Sequence, residues 1–432
     1  MNATLRSANA VLLLAVLCFS PAIAQTGVYT LNGGTASETE QTYSATQTDQ
    51  SAVYVLNLGH LTLTDCTMTK TGDASNVNNS SQYGINAGVL ATSAATVKLN
   101  GGSVTTNASG ANGLFATGTG SAIEMSYGTI NANGASAHGV DVTYGGAITL
   151  TEVNVSTTGS NASALATDFG GGYVTVTGGT IIASSTAAGS HSAGIYSTGY
   201  ISVTGASVSS SGDCGGVIDG ANSITLTGSY LQGALHGIKI WKTAPASGSA
   251  SVTLDGGSLT AHGGDAFYIT DETGNAASAT ISVKGGALIA ASTGNILNVL
   301  GASSATLKLN GVHLTGRLRA DEDATASVAL ENGTILYGAV SGLGLALDGG
   351  STWNVTSNSI LTTLDDADGI SGLAITNITG NGCDVHYDAE LPANAYLGGF
   401  TYSLVNGGTL TPAAVPALET SWGEVKALFR EL

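Results

Sequence analysis

Two lysines and an aspartate in the middle of the chain have the side chains needed for base chemistry on an acidic sugar. Lys239, Lys242 and Asp265 come close together if neighbouring repeats of the chain stack. A lysine can remove the proton next to a carboxylate, and a second cation can neutralise that carboxylate as charge develops. The sequence favours a simpler interpretation of these residues, exposed strand and loop charges, and no nucleophile, histidine and acid can be grouped by spacing.

Two acidic runs could bind a calcium ion through several carboxylate oxygens. They are Asp321–Asp323 and the stretch 365–368. Neither has the Gly-Gly-x-Gly-x-Asp pattern of calcium-binding repeats, so solvated loops are favoured and no cofactor is expected, with Ca²⁺ as the alternative. His138 and His236 precede equivalent strands but are several repeats apart, so the sequence predicts no metal site.

A row of side chains on the third strand of each repeat is the most suggestive candidate binding surface. Val140, Val142, Ile238 and Ile240 alternate with other residues, so if they point inward their neighbours face solvent. Apolar and aromatic side chains about 5 Å apart on an exposed sheet mark an interaction site, and aromatic rings suit sugar binding. Ordinary strand propensity is the simpler explanation. The aligned row is Phe115, Asp141, Leu165, Tyr196, Ile218, Lys239 and Tyr268, with Trp241 beside it.

These residues are positioned by a repeat that extends through most of the chain. Short alternating strands recur from Val97 to Leu307 at intervals of 23 to 29 residues, and a Gly or Asn corner usually follows. In Ser249–Thr270, for example, the first strand contains Val252 and Leu254, and Gly256-Gly257 forms the corner. A second strand follows the corner, and a third follows a variable loop.

Three short strands per repeat predict one coil of a right-handed parallel β-helix. One coil cannot bury its own apolar side chains, whereas stacked coils can. About 12 coils at roughly 4.8 Å spacing give an all-β rod about 55–60 Å long. The predicted β-helix covers residues 25–411, with weaker first coils before Leu61 and a polar loop at Lys70–Gln82.

Composition limits the partners of the protein. The formal net charge is −18 and only 9% of residues are charged, compared with about 25% in ordinary domains. An acidic, lysine-poor surface argues against nucleic acid and anionic membranes. Cys66, Cys214 and Cys383 have no neighbour within one repeat, so buried free thiols are expected.

The two ends of the chain differ from the repeat. Residues 1–24 resemble an export signal, with Arg6, an apolar core at Val11–Phe19 and an Ala-x-Ala site before Gln25. No later stretch is long and apolar enough for a membrane helix, so a secreted or surface location is expected. Residues 412–432 predict an amphipathic helix with a capping box at Ser421, which would close the rod or dock a partner.

The later repeats carry a resemblance. Leu347–Leu364 contains Trp353-Asn354-Val355-Thr356, and it is followed by Gly369–Thr379 and Tyr396–Leu410. These segments resemble the carboxy-terminal stem of autotransporter passenger domains, the pertactin-like bacterial β-helices. The repeats as a whole are similar to adhesin-like β-helix proteins. The resemblance implies a binding or structural role at a cell surface, although the translocation barrel of that family does not follow in this sequence.

The sequence therefore predicts an adhesin-like, non-enzymatic protein that binds a glycan or another cell-surface partner. The alternative is a β-helix polysaccharide lyase or hydrolase acting near Lys239, Lys242 and Asp265. The stretch Gly237–Thr243 resembles part of the polygalacturonase-type signature, but its partner phrases do not accompany it. Ice binding through threonine rows is a remote third hypothesis, because the rows are not in register between coils.

Overall fold

The chain forms a parallel β-solenoid. The computed structural model describes residues 25–185, 190–245 and 247–413, and these make about 15 turns with very little helix. The predicted all-β fold of stacked coils is confirmed, and the number of turns exceeds the predicted 12. The predicted signal at 1–24 and all but the first two residues of the predicted helix at 412–432 lie outside the described residues. Pro412 belongs to the last strand.

Each regular turn contributes one strand to each of three parallel columns. The first-strand column contains Thr35–Thr39, His60–Thr64, Thr96–Asn100, Ala122–Ser126, Gly146–Thr151, Gly172–Thr177, Tyr200–Thr204, Ser223–Thr227, Ala250–Asp255, Ser278–Lys284, Ser304–Asn310 and Thr325–Glu331. The second-strand column contains Thr42–Ala45, Thr67–Lys70, Ser103–Thr106, Thr129–Ala132, Asn154–Thr157, Thr180–Ala183, Ser207–Ser210, Tyr230–Gly233, Ser258–Ala261, Leu288–Ala291, His313–Thr315, Ile335–Gly338, Thr352–Val355, Ala374–Thr379 and Tyr402–Val405. The third-strand column contains Thr26–Asn32, Gln50–Leu56, Val89–Thr92, Leu114–Thr117, Val140–Thr143, Leu165–Thr167, Ile195–Ser197, Gly216–Asp219, Ile238–Trp241, Phe267–Ile269, Asn295–Val299, Arg317–Ala320, Val385–Tyr387 and Thr409–Pro412.

In-register stacking of aliphatic side chains holds the coils together. Leu63, Leu99, Met125 and Leu150 are paired directly from one coil to the next. All four are buried, and each contributes roughly 1.5–3 kcal/mol relative to an exposed side chain. The predicted inward residues of the third strand, such as Val140 and Ile238, are also buried. The period-2 pattern of the sequence therefore assigned these core residues correctly.

Glycine is required at the Gly101-Gly102 corner because consecutive coils approach closely there. Gly101 and Gly102 have φ angles of 71° and 78°. A Cβ on Gly102 would lie 2.2 Å from the carbonyl oxygen of Cys66 in the preceding coil. The corner can therefore keep the coil spacing only without a side chain at this position.

The coils shorten towards the carboxyl end. There, Val340–Leu347 forms a single continuous strand that pairs with Arg317–Ala320 of the third-strand column and with Thr325–Glu331 of the first-strand column. Ser359–Asp365 is a second continuous strand, which pairs with Val340–Leu347 and with Val385–Tyr387. The turn between these columns is lost, which explains the shorter repeats of the sequence. The end is completed by 3-10 helices at Ala367–Gly369 and Pro392–Leu397 and by a short strand at Ile370–Ser371.

The polar loop predicted at Lys70–Gln82 contains an α-helix, Val77–Tyr83. The side chain of Asn76 accepts a hydrogen bond from the backbone N–H of Asn79, and Gly84 ends the helix with a φ of 70°. The prediction of a loop was therefore wrong. The helix has no apolar stripe that would indicate it, although both of its capping residues were visible in the sequence.

The thiols of Cys66, Cys214 and Cys383 are free. Cys66 and Cys214 are buried as predicted, whereas Cys383 is half-exposed. None of the helices within the described ranges is both long and apolar enough to cross a membrane.

Candidate functional site

The outward residues of the third-strand column form one continuous row, which we call the lateral row. Strand pairing fixes its members without ambiguity. Leu165 and Ile218, predicted to belong to it, instead point into the core, and the prediction was wrong by one residue at both places. The lateral row is Leu90, Phe115, Asp141, Ala166, Tyr196, Val217, Lys239, Tyr268, Asn298 and Arg319.

The first part of the lateral row is covered. Phe115 and Asp141 are fully buried, so their predicted exposure is wrong. The loop that contains the helix Val77–Tyr83 folds over this part of the sheet. A Cβ on Gly84, just after the helix, would lie 2.3 Å from the Phe115 ring, and Thr143 donates a hydrogen bond to the Gln82 carbonyl. A surface buried by the chain's own loop is closed to a partner.

Asp141 lies in a buried cluster with His138 and Asp168. One ligand atom of each residue lies within 4.8 Å of the other two. Burial, and then the charge of Asp168, raise the pKa of Asp141 well above its usual value. Burial also raises the pKa of Asp168 to about 6 and lowers that of His138 to about 4. The cluster therefore favours neutral side chains at mildly acidic pH.

The hydrogen bonding of His138 argues against a metal ion in this cluster. Its Nδ1 accepts a hydrogen bond from the backbone N–H of Ser163, at 3.0 Å. The proton of the neutral ring must then be on Nε2, which leaves no lone pair for a cation. Among the described residues this is the only group of three or more potential metal-binding acids, histidines or cysteines. Neither acidic run suggested for Ca²⁺ forms such a group.

The middle of the lateral row is a half-exposed aromatic and charged patch, which we call the aromatic patch. The rings of Tyr268 and His236 stack with centroids 4.0 Å apart and an interplanar angle of 16°. The Nζ of Lys239 lies 4.2 Å from the centre of the Trp241 ring and forms an ion pair with Glu272. These contacts hold the five side chains in place on rigid strands and their connecting loops. The aromatic rings give the patch an apolar surface, and Lys239 and Glu272 give it hydrogen-bonding groups.

Tyr196 lies two coils before Lys239 on the lateral row, with Val217 between them. Its hydroxyl donates to a carboxylate oxygen of Asp219 at 3.4 Å, and the same carboxylate accepts hydrogen bonds from the backbone N–H and the hydroxyl of Thr243. Burial, and then the charge of Asp219, raise the pKa of Tyr196. Tyr196 is therefore a neutral hydrogen-bonding group at physiological pH.

The residues of the lyase hypothesis are only partly brought together. The backbone N–H of Asp265 donates to Nδ1 of His236 at 3.0 Å, and Lys239 follows His236 by three residues, so Lys239 and Asp265 lie on the same part of the sheet. Lys242 is buried and lines a separate cleft with Pro245 and Asn275. Within the described structure, Lys239 is already paired with Glu272. The three residues thus do not converge on one point.

Asp265 is held by side-chain donors from the next coil. Asn295 and Asn298 donate amide hydrogen bonds to its two oxygens, at 2.8 and 2.7 Å, and Thr293 donates its hydroxyl. A buried carboxylate with this many donors is a structural acceptor and is poorly placed to take a proton from a substrate.

Replacing Asp265 with asparagine is expected to lower the free energy of unfolding by about 1–3 kcal/mol. The new amide NH2 group would replace one of the two oxygens and would face the amide of Asn295 or of Asn298, which is itself a donor. Urea unfolding monitored by circular dichroism measures the change. Asp255→Asn, which removes the exposed ion pair with Lys284, is the control and should change stability by less than about 0.5 kcal/mol. Equal effects of the two variants would contradict the structural role of Asp265.

Two further surface features were missed by the sequence analysis. Tyr173 and Tyr200 are stacked, 5.2 Å apart and 10° from parallel, and both are largely exposed on the first-strand column. Their spacing of one repeat was a usable signal. The second feature is a cleft of about 930 Å³ that contains Arg317, Arg319 and His386. Its walls come from separate coils, so no local motif indicates it.

The fold places the protein in the class of parallel β-solenoids. No protein-family model matches the chain, and no curated protein matches it in sequence. Function must therefore be argued from the surface itself.

Proposed function

We propose that the protein is a non-enzymatic, adhesin-like β-solenoid that binds carbohydrate through its lateral row and acts outside the cell. The observation that supports this most directly is the aromatic patch, where half-exposed rings and an ion pair lie together on rigid strands. Aromatic rings provide contact area for the C–H groups of a sugar, while Lys239 and Glu272 offer a donor and an acceptor to its hydroxyls. The likeness to autotransporter passengers and the export-type first 24 residues support the extracellular location.

The patch favours binding over catalysis. General acid–base catalysis needs a group whose proton can be transferred at the substrate. Lys239 is engaged by Glu272, and Asp265 accepts hydrogen bonds from three side chains. A surface whose charges satisfy each other suits recognition of neutral polar ligands, because it offers hydrogen bonds without a strong net charge.

The test is a glycan array followed by titration of the best ligand against variants of the mature protein. Trp241→Ala and Tyr268→Ala are each expected to weaken binding about tenfold or more, since aromatic contacts contribute about 0.5–1.5 kcal/mol beyond their buried area. Tyr230→Ala removes a more exposed tyrosine from the second-strand column and should leave the affinity unchanged. An array without a specific ligand, or equal affinity of all variants, would refute the proposal.

A further inference from the structure

The cleft near the carboxyl end of the lateral row differs from the aromatic patch in that it contains two arginines. It is lined by both arginines of the described chain, Arg317 and Arg319, which project from the same side of one strand. A protein with a net charge of −18 has few cations to place, and two of them meet here. The volume of about 930 Å³ falls within the range of small-molecule sites.

Differences in side-chain length create the cleft. Arg319 is paired in register with Ser341, which is followed in the next coils by Ile360 and His386. Long guanidinium groups therefore stand beside a floor of short side chains, including Ala339 and Ser359. The cleft extends over five coils, from Asn295 to His386, or about 19 Å along the solenoid.

Each guanidinium is oriented but keeps donors for a ligand. The Nη2 of Arg317 donates to the carbonyl oxygen of Thr293 at 2.7 Å. The Nη2 of Arg319 donates to the Oδ1 of Asp321, also at 2.7 Å. A guanidinium has five N–H donors, so most of them remain available. Two planar forks on one strand suit a carboxylate, which arginine binds in a bidentate manner.

Two acidic residues at the rim of the same cleft disfavour some classes of anionic ligand. Asp321 and Glu322 line it together with the arginines. A multiply charged phosphate would be repelled by these carboxylates, whereas a sugar acid can direct its carboxylate to the arginines and its hydroxyls to Asp321 and Glu322. The cleft also lies on the lateral row, so a chain bound at the aromatic patch follows the same face.

We infer that this cleft binds the acidic residue of a glycan, a uronate or a sugar acid of similar charge. The inference rests on the proposed carbohydrate-binding function and adds its substrate class. It assigns Arg317 and Arg319 as the residues that select an acidic sugar over a neutral one.

The experiment titrates the mature protein with oligogalacturonate and with its fully methyl-esterified form, which keeps the sugars and removes the charge. The acid form is expected to bind at least tenfold more tightly, and the difference should shrink as salt is raised. Arg317→Gln and Arg319→Gln should each lose most of this preference. Lys308→Gln removes an exposed, ion-paired cation on the first-strand column of the same coil and should retain it.

Each remaining outcome decides the inference. Equal binding of acid and ester, or a preference that survives both arginine substitutions, overturns it. If the ester binds as tightly as the acid and Trp241→Ala weakens both, the proposed function stands and only the acidic class fails; if neither form binds and the array finds no ligand, both fail. A sulfated neutral oligosaccharide that binds more tightly than the uronate, with the same dependence on Arg317, would overturn the choice of a carboxylate.

Discussion

Replacing Trp353 with alanine is expected to lower the free energy of unfolding by about 3–5 kcal/mol, the range measured for large aromatic truncations in protein cores. Trp353 is fully buried, is paired with Leu336 and Ile378 in the adjacent coils, and donates its Nε1–H to the Gly338 carbonyl at 2.8 Å. Alanine would leave a cavity between three coils and an unpaired carbonyl. Trp353→Phe retains most of the ring and should cost less, about 1–3 kcal/mol for the lost hydrogen bond.

The loss should be local, because each coil of a solenoid contacts only its neighbours. Hydrogen exchange is expected to accelerate between residues 335 and 387 and to remain unchanged near Leu99. Gly338 precedes Ala339 in the wall of the arginine cleft, so acidic-glycan binding should also weaken. Tyr337→Ala removes an exposed ring from the neighbouring strand and is the control, expected within about 0.5 kcal/mol of wild type. If hydrogen exchange near residue 353 in the Trp353→Ala variant were as slow as in the wild type, a core role for this residue would be contradicted.

The fold was predictable because a solenoid repeats one local rule. Alternation at Val252 and Leu254, followed by Gly256-Gly257, defines one coil, and the same rule applies in most others. It failed where the coil changed: Val340–Leu347 joins two columns in one strand, and Val77–Tyr83 is a helix without an apolar stripe. A repeat pattern describes the average coil and cannot indicate the insertions that modify it.

The surface was less predictable because it depends on register and on loops. A misalignment of one residue exchanged Leu165 for Ala166, since adjacent strand residues face opposite sides. Alternation correctly placed Asp141 outside the solenoid core, but it contains no information about a loop that covers the sheet. The arginine cleft unites side chains from Asn295 to His386, a separation that no short motif can show. The candidate binding surfaces on this fold are therefore formed by side chains from several coils.

Replacing Asp141 with asparagine is expected to stabilise the protein at neutral pH by about 1–3 kcal/mol. Both carboxylate oxygens of Asp141 are buried without a well-formed hydrogen bond among the described residues, the backbone N–H of Val142 is a weak donor, and Asp168 places a second acid within 4.8 Å. An ionised group in this position pays for its dehydration without compensation. Asparagine has nearly the same shape, has no charge, and can donate to the Asp168 carboxylate.

The change in stability with pH follows from the direction of the pKa shifts of Asp141 and His138. The folded-state pKa of Asp141 lies above the unfolded value, so its favourable contribution is complete below about pH 4 and is lost as pH rises. His138 acts in the opposite sense: its pKa falls to about 4 on folding, so its contribution is lost as pH falls from about 6.5. The His138 contribution is common to Asp141→Asn and wild type and largely cancels from the difference in their stability, which should be near zero at pH 4 and grow as pH rises. Melting temperatures across this range measure the difference, with the exposed Asp323→Asn as the control. A variant that is less stable than wild type at pH 7 would mean that the ionised carboxylate of Asp141 is bound by a favourable partner, and the buried cluster would then have to be considered a cation site after all.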